Sequence, residues 1–131
     1  MYGNARVMGA GVAPMEIAMS SRKVIISTEE IIDIEAIRRQ PQRTTIPYYF
    51  VDAVVLAPFG TYPGSTPGLY GADIEHWLEW GAAEMQGKTG DYLDKWVHGV
   101  SSHEEMLDKL VGAEKLERLR EAETVREGYY E

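Results

Sequence analysis

Two short apolar runs restrict the folds open to this 131-residue chain. They are KVIIS, residues 23–27, and FVDAVVL, residues 50–56, and both are rich in β-branched side chains. Neither run alternates polar with apolar positions, which favours strands that are covered on both faces, as in parallel sheets. The helical pattern IEAIRRQP lies between them and ends at Pro41. The order of strand, helix and strand predicts an α/β fold with a parallel sheet.

The residues before the first run extend this pattern. NARVM predicts a third short strand, and APMEIAMSS predicts a short helix with Pro14 in its first turn. Three strands are few for a parallel sheet, because its faces need helices and its edges need protection. We therefore expect the later part of a larger α/β domain.

Charge and pattern both change near residue 71. Residues 1–71 carry six acids and six Lys or Arg, whereas residues 72–131 carry fifteen acids and seven Lys or Arg. The second segment has helical periodicity, with a capping-box pattern at Ser102 and Glu105 and a stop at Gly112. We predict a sheet region at 1–71 and an acidic helical extension of the same domain at 72–131. The apolar stripe of the first of these helices needs a covering surface and consists of Ile74, Trp77, Leu78 and Met85.

Composition excludes several classes of protein. The net charge of −8 argues against a nucleic-acid partner, because phosphate binding needs a basic surface. No apolar run approaches the roughly 20 residues of a membrane helix, so no membrane partner is expected. The chain has no cysteine, which fits a reducing compartment, and we expect a cytoplasmic protein. The histidines lack zinc-ligand spacing, so we expect no metal and place all three, His76, His98 and His103, at surface or cap positions.

Four phrases carry a resemblance to a known family. In chain order they are YGNARV, KVIISTEEIID, IRRQPQRTTIP and VDAVVLAPFGTYPG. Together they resemble the C-terminal half of the A (alpha) subunit of family I CoA-transferases, and most of all the glutaconate CoA-transferase type. The acidic segment with YLDKWVHGV and EKLERLRE is similar to the helical end of that subunit. The resemblance implies part of a doubly wound, mostly parallel α/β sheet with a helical C-terminal region.

The resemblance also implies a reaction and partners. In this family a glutamate that belongs to the B (beta) subunit becomes a glutamyl-CoA thioester after it attacks an acyl-CoA, with coenzyme A as substrate and no permanently bound cofactor. The Ser-Glu-Asn-Gly pattern around that glutamate is absent from this chain. The glycine-rich loop of the A subunit belongs to its N-terminal half, which this chain does not match. We therefore expect the partners in an oligomer to be an N-terminal A-subunit portion and a B subunit. We also expect the chain to be inactive when alone and to hold no catalytic residue.

Several residues remain candidates for substrate or interface contacts. Glu29 and Glu30 follow a predicted strand, where ligand crevices form in α/β sheets and a nucleophile or general base could lie, but we favour the interpretation that they cap or charge the next turn or accept N–H bonds. Asp52 lies within an apolar run and needs a fixed partner, such as an arginine or backbone N–H groups. Four aromatic residues fit either core and interface packing or a wall for the CoA adenine or acyl chain: Tyr48, Tyr49, Phe59 and Tyr62.

Three functions remain open from the sequence. The first is a CoA-transferase component that moves CoA to a carboxylic acid, in particular a dicarboxylic acid. The second is a component of a hydrolase or ring-opening enzyme that has the same fold and acts on a CoA thioester. The third is a truncated, non-enzymatic module that associates with itself. The stiff loop after the predicted strand at residues 50–56 contains Pro58, Pro63 and Pro67, and we expect it to be ordered and to pack against a neighbouring chain.

Overall fold

The computed structural model of the protein describes residues 3–9 and 11–123. They form two compact units that divide between Gly60 and Thr61. The first unit holds a two-stranded sheet and short helices, and the second holds four helices among its described residues. No helix in the described part of the chain is both long and apolar enough to cross a membrane.

The elements of the first unit follow the predicted order of helix and strand. Between the second helix and the second strand the chain makes two 3₁₀ turns, at Pro41–Arg43 and Tyr48–Phe50. The regular elements are α1 (Pro14–Ser20), β1 (Ile25–Thr28), α2 (Ile34–Arg39) and β2 (Ala53–Leu56).

The sheet is parallel, as predicted. Strand β1 pairs with β2 in a register that runs from Ile25 opposite Ala53 to Thr28 opposite Leu56. Helix α2 connects the two strands and is capped by Asp33, whose Oδ1 accepts the Glu35 N–H at 2.7 Å. The α/β class predicted from the sequence is therefore confirmed.

The predicted third strand, NARVM, is wrong. The segment makes one isolated antiparallel bridge, in which the Ala5 N–H donates to the Ile46 carbonyl at 2.9 Å. Gly3 and Gly9 border it with positive φ angles of 75° and 84°, so the extended backbone ends on both sides. The Arg6 guanidinium donates to main-chain carbonyls at the end of α2, which fixes the segment to that helix instead.

The prediction that both faces of the strands are covered is also wrong for the described chain. Ile25 and Val55 remain 68% and 51% exposed. Their partners across the two strands, Ala53 and Ser27, are also exposed. The continuous apolar runs are real, but the described residues supply no layer over one face of the sheet.

The second unit is helical, as predicted. Two of its helices continue directly into a π-helical turn, whose hydrogen bonds join residues five apart rather than four. The elements are α3 (Ile74–Met85), α4 (Thr89–Leu93) with the π turn Asp94–His98, α5 (His103–Met106) with the π turn Leu107–Val111, and α6 (Ala113–Ala122).

The predicted helix signals of this unit hold, except that the Glu105 carboxylate of the capping box accepts the Ser101 N–H rather than the Ser102 N–H. Ser102 Oγ accepts the Glu105 N–H at 3.1 Å and caps α5. Gly112, with φ of 82°, separates the second π turn from α6. The covering surface expected for the α3 stripe is missing from the described chain, since Leu78 and Met85 are 69% and 90% exposed.

Candidate functional site

Glu29 is the best-anchored of the candidate acids. It directly follows β1, and its carboxylate accepts the Phe59 N–H at 2.5 Å and the Gly60 N–H at 3.0 Å. Phe59 is 4% exposed and has a left-handed φ of 56°, a conformation that residues with a side chain rarely adopt. Glu29 thus holds the unusual turn that follows β2, which supports the interpretation that it accepts N–H bonds at the strand end.

Glu30 does not join Glu29 in a carboxylate pair that shares one ligand position. Its carbonyl accepts the Thr28 hydroxyl at 2.9 Å, while the residue itself is exposed. A pair that shares a proton would need the two carboxylates side by side. Of these two acids, Glu29 is the one whose carboxylate binds the turn after β2.

Asp52 lies at the opposite end of the sheet. Its carboxylate binds Lys23 Nζ at 2.5 Å and accepts the Val24 N–H at 2.9 Å. These contacts, with the Lys23 hydrogen bond foremost, lower the pKa of Asp52 below its usual value. The length of the strands separates Asp52 from the Glu29 end, a distance of roughly 13 Å at ~3.3 Å per residue. The two acids therefore do not form one site.

The exposed aromatic residues belong to the Asp52 end. Tyr48 and Tyr49 are 52% and 67% exposed, and their ring centroids are 5.6 Å apart. The Tyr49 ring also lies 4.7 Å from that of Phe50, and the Tyr48 N–H donates to Asn4 Oδ1 at 2.9 Å. Exposed rings on an anchored turn offer an apolar surface to a partner or ligand.

Tyr62, the remaining candidate, belongs to a polar cluster in the second unit. Its hydroxyl donates to Asp73 Oδ2 at 2.7 Å and contacts His76 Nδ1 at 2.9 Å. His76 Nε2 lies 2.5 Å from the Tyr92 hydroxyl, and Lys115 Nζ lies 2.7 Å from Asp73 Oδ2. We call these five residues, Tyr62, Asp73, His76, Tyr92 and Lys115, the polar cluster.

The contacts of the polar cluster assign its protons. Asp73 accepts hydrogen bonds as a carboxylate, so the Tyr62 proton points to Asp73 and the Tyr62 oxygen is left to accept from His76. His76 must then carry its proton on Nδ1, and its bare Nε2 accepts from Tyr92. The geometry therefore defines one neutral tautomer of His76.

Burial and charge set the pKa values in this cluster. Burial lowers the pKa of His76 and raises the pKa of Tyr62, whose hydrogen bond to Asp73 raises it further. Burial also opposes ionisation of Asp73, but the hydrogen bonds from Lys115 and Tyr62 outweigh it and leave the pKa of Asp73 below its usual value. Asp73 is thus held as an anion beside a neutral imidazole.

The Trp96 side chain covers one side of His76. The Trp96 ring lies 4.0 Å from the imidazole, centroid to centroid. Trp96 Nε1 donates to Glu79 at 3.1 Å, and Lys95 Nζ binds the same carboxylate oxygen at 2.7 Å. Trp96 is therefore fixed by Glu79, and it closes one side of the cluster.

Of the two positions predicted for the histidines, surface or cap, His76 takes the cap: it is only 4% exposed and lies in the first turn of α3, where Asp73 caps its N–H. His98 and His103 are exposed as predicted. The signal for His76 was Asp73 three residues earlier, since a helix N-cap and its third helical residue lie together. Asp73 accepts the His76 N–H at 3.1 Å.

Two other members of the polar cluster have no recognisable signal in the sequence. Tyr92 and Lys115 come from α4 and α6, and nothing in their spacing links them to His76. Only the packing of the helices brings them together.

The remaining surfaces offer limited chemistry. Among residues 3–9 and 11–123, no three His, Asp or Glu side chains lie close enough together to hold a metal ion. A groove of about 300 Å³ lies beside the first π turn and the start of α5 and is lined by Trp96, Val97, Val100, Ser101, Ser102, His103 and Met106.

The side chains of the polar cluster are hydrogen-bonded to one another, which suits a structural role better than a catalytic one.

The chain is similar in sequence to two known proteins. No family model matches. The chain is 41% identical over 127 residues to an uncharacterized protein of Archaeoglobus fulgidus and 36% identical over 119 residues to the A subunit of glutaconate CoA-transferase from Acidaminococcus fermentans. These matches cover 96% and 90% of this chain, but the chain spans only 28% and 37% of the length of these relatives.

A solved structure agrees with the second relative. The fold matches the crystal structure of glutaconate coenzyme A-transferase from Acidaminococcus fermentans with a TM-score of 0.80 at 36% identity. The match covers 89% of this chain and 37% of the other. The resemblance recognised in the sequence is thereby confirmed, since the chain is similar in sequence and in fold to the C-terminal part of the A subunit of glutaconate CoA-transferase.

Proposed function

We propose that this chain is the C-terminal component of the A subunit of a cytoplasmic CoA-transferase. The observation that carries the proposal is the joint match in sequence and fold, 36% identity with a TM-score of 0.80, to glutaconate CoA-transferase. Residues 1–71 then supply part of the sheet region, and residues 72–131 belong to the acidic helical extension of the same domain, of which residues 124–131 lie outside the described part of the chain. The complete enzyme is an oligomer that includes the remaining part of the A subunit together with a B subunit.

The proposed reaction moves CoA from an acyl-CoA to a dicarboxylic acid. A glutamate of the B subunit first attacks the thioester carbonyl, expels the CoA thiolate and forms a mixed anhydride. The thiolate attacks the glutamyl carbonyl, which releases the first acid and leaves glutamyl-CoA. The acceptor carboxylate then repeats these two steps in reverse order, takes up CoA and restores the glutamate.

In this proposal the chain supports the reaction rather than performing it. Glu29 holds the turn at Phe59 and Gly60, where strand ends border the ligand crevice of α/β sheets. Glu30, Tyr48 and Tyr49 are exposed and make the substrate or partner contacts in this proposal. Asp52 has a structural role through its ion pair with Lys23, and Tyr62 has one through its hydrogen bond to Asp73. Coenzyme A is a substrate, and the chain alone is inactive.

The test uses a chimeric A subunit in which this chain replaces the matching part of the glutaconate CoA-transferase protein. The chimera is co-expressed with the B subunit of that enzyme, incubated with glutaconyl-CoA and treated with borohydride, which reduces a glutamyl thioester to an alcohol. Mass spectrometry then locates the modified residue. We expect CoA exchange with free dicarboxylate and a modified glutamate on the B subunit.

The Glu29→Gln variant is the matched control, because an amide oxygen still accepts one of the two N–H bonds to the turn. The adduct should survive this change. Loss of the adduct in a folded Glu29→Gln chimera would instead make Glu29 the nucleophile. Thioester hydrolysis without exchange or adduct would favour the hydrolase or ring-opening function, and a folded chimera with neither activity would favour the non-enzymatic module.

A further inference from the structure

One face of the β1–β2 sheet is uncovered in the described chain. Residues paired in a parallel register lie on the same side of a sheet, so one face carries Ile25, Ser27, Ala53 and Val55. All four are exposed, and we call this set the open face. The other face carries Ile26, Thr28 and Val54, which are half-buried, together with the exposed Leu56 at its end.

The open face has the chemistry of an interior surface. It holds two large aliphatic side chains, one methyl group and one hydroxyl, and no charge. Exposed sheet faces of folded proteins usually carry polar or charged residues, whereas the faces of parallel sheets are packed under helices. An isolated two-stranded sheet is also marginal in water. These properties indicate a surface that is buried in the working protein.

Elsewhere in the first unit, large apolar side chains are also exposed. Among its described residues only Ala18, Ile46 and Phe59 form buried apolar core. Twelve large apolar residues of the described unit are exposed, from Val7 to Leu56. The unit thus has more apolar surface prepared for packing than its described residues bury against one another.

We infer that the open face is the docking surface for the part of the A subunit that this chain does not contain, through an uncharged, apolar helix face. This inference rests on the proposed function. Its support is the length of the relative: this fold matches 37% of the glutaconate CoA-transferase chain, so most of such a protein lies outside the matched region. Each strand of the two-stranded sheet also keeps one edge on which a further strand of the same partner can pair.

The experiment compares the free chain with the chimera described above. Val55→Lys places a charge on the open face, and Val55→Thr places a hydroxyl there while it keeps the β-branched shape. Val12→Lys is the matched control, because Val12 is 88% exposed and lies outside the sheet. Thermal unfolding is measured for every variant in both forms, and sedimentation gives the oligomeric state of the free chain.

We expect Val55→Lys to lower the Tm of the chimera by about 5 °C or more, because it buries an unpaired charge. Val55→Thr should lower it by less. The same substitutions should change the Tm of the free chain by less than about 2 °C, as is usual at exposed positions. Val12→Lys should change neither. This readout does not involve CoA, so it separates the docking surface from the proposed reaction.

Three results would overturn the inference. The first is an equal effect of Val55→Lys on the chimera and on the free chain, or no effect on either. The second is a free chain that forms a stable dimer which Val55→Lys dissociates, since a second copy would then be the occupant. The third is a chimera that stays unfolded under conditions in which the free chain folds, because the chosen partner would then fail to fit.

Discussion

Glu29 and Glu30 are adjacent in the sequence, yet only Glu29 holds the backbone of another segment. Its two oxygens accept the N–H groups of Phe59 and Gly60, whereas the Glu30 residue is exposed. A buried N–H that loses its acceptor costs more than the hydrogen bond contributed. The two neighbours therefore make a matched pair for mutation.

Glu29→Ala should destabilise the chain by about 1–2 kcal/mol, because two backbone donors lose a charged acceptor. Glu30→Ala should stay within about 0.5 kcal/mol of the parent, as is usual for exposed residues. Urea unfolding measures both, and hydrogen exchange at Phe59 and Gly60 locates the change. Equal losses from the two variants would contradict the role given to Glu29.

The pH dependence of stability follows from His76. Burial lowers its pKa from the ordinary value of 6.5, so the unfolded chain binds a proton more readily than the folded one. This contribution is complete above about pH 6.5 and is lost as the pH falls toward the folded pKa. We expect thermal stability to decline as the pH falls below about 6.5.

The control for this prediction is His76→Gln, which keeps polar groups in the cluster but does not titrate. It should lower stability at neutral pH and flatten the decline over the acidic range. A decline that is as steep in the variant as in the parent would assign the effect to other groups.

At the scale of elements, replacing either of two glycines by alanine should change the stability in opposite directions. Gly112 precedes α6 with φ of 82°, and a Cβ there would meet no neighbour, so the backbone angle alone opposes a side chain. Gly81 lies inside α3, and a Cβ there would also find open space, but its φ is an ordinary helical one. One position needs glycine and the other only tolerates it.

Gly112→Ala should destabilise the chain by about 1 kcal/mol through backbone strain. Gly81→Ala should stabilise it by about 0.5–1 kcal/mol, because alanine is the better helix former and leaves the unfolded chain fewer conformations than glycine does. Chemical denaturation resolves both effects. A loss of stability in both variants would show that α3 needs the space at Gly81 for packing.

Elements with local signals could be predicted from the sequence. Pro14 marked the start of α1, and the apolar runs placed β1 and β2 within a few residues of their observed bounds. NARVM failed because Arg6 binds the end of α2 and glycines with positive φ border the segment. The polar cluster was missed because it joins residues from a loop and three helices, and no local pattern encodes such packing.

At the scale of the whole molecule, charge and apolar surface act together. The net charge of −8 vanishes near the pI of about 4.9, where proteins lose the repulsion that keeps them apart. Exposed Ile25 and Val55 then remain free to associate. We expect light scattering by the free chain to rise sharply as the pH approaches 4.9.

The double variant Ile25→Thr/Val55→Thr should scatter less than the parent at that pH, since it keeps the charge and removes apolar surface. Solutions at neutral pH give the baseline. If parent and double variant scatter alike, another surface drives the association.

The two π-helical turns, Asp94–His98 and Leu107–Val111, carry a consequence for how the chain can change in length. A π turn accommodates one residue more than the α-helical spacing around it. Removing that residue restores regular helix and leaves the flanking faces in phase, whereas a deletion elsewhere in a helix rotates everything beyond it by about 100°. Single-residue gaps in alignments with relatives should therefore fall at these two turns.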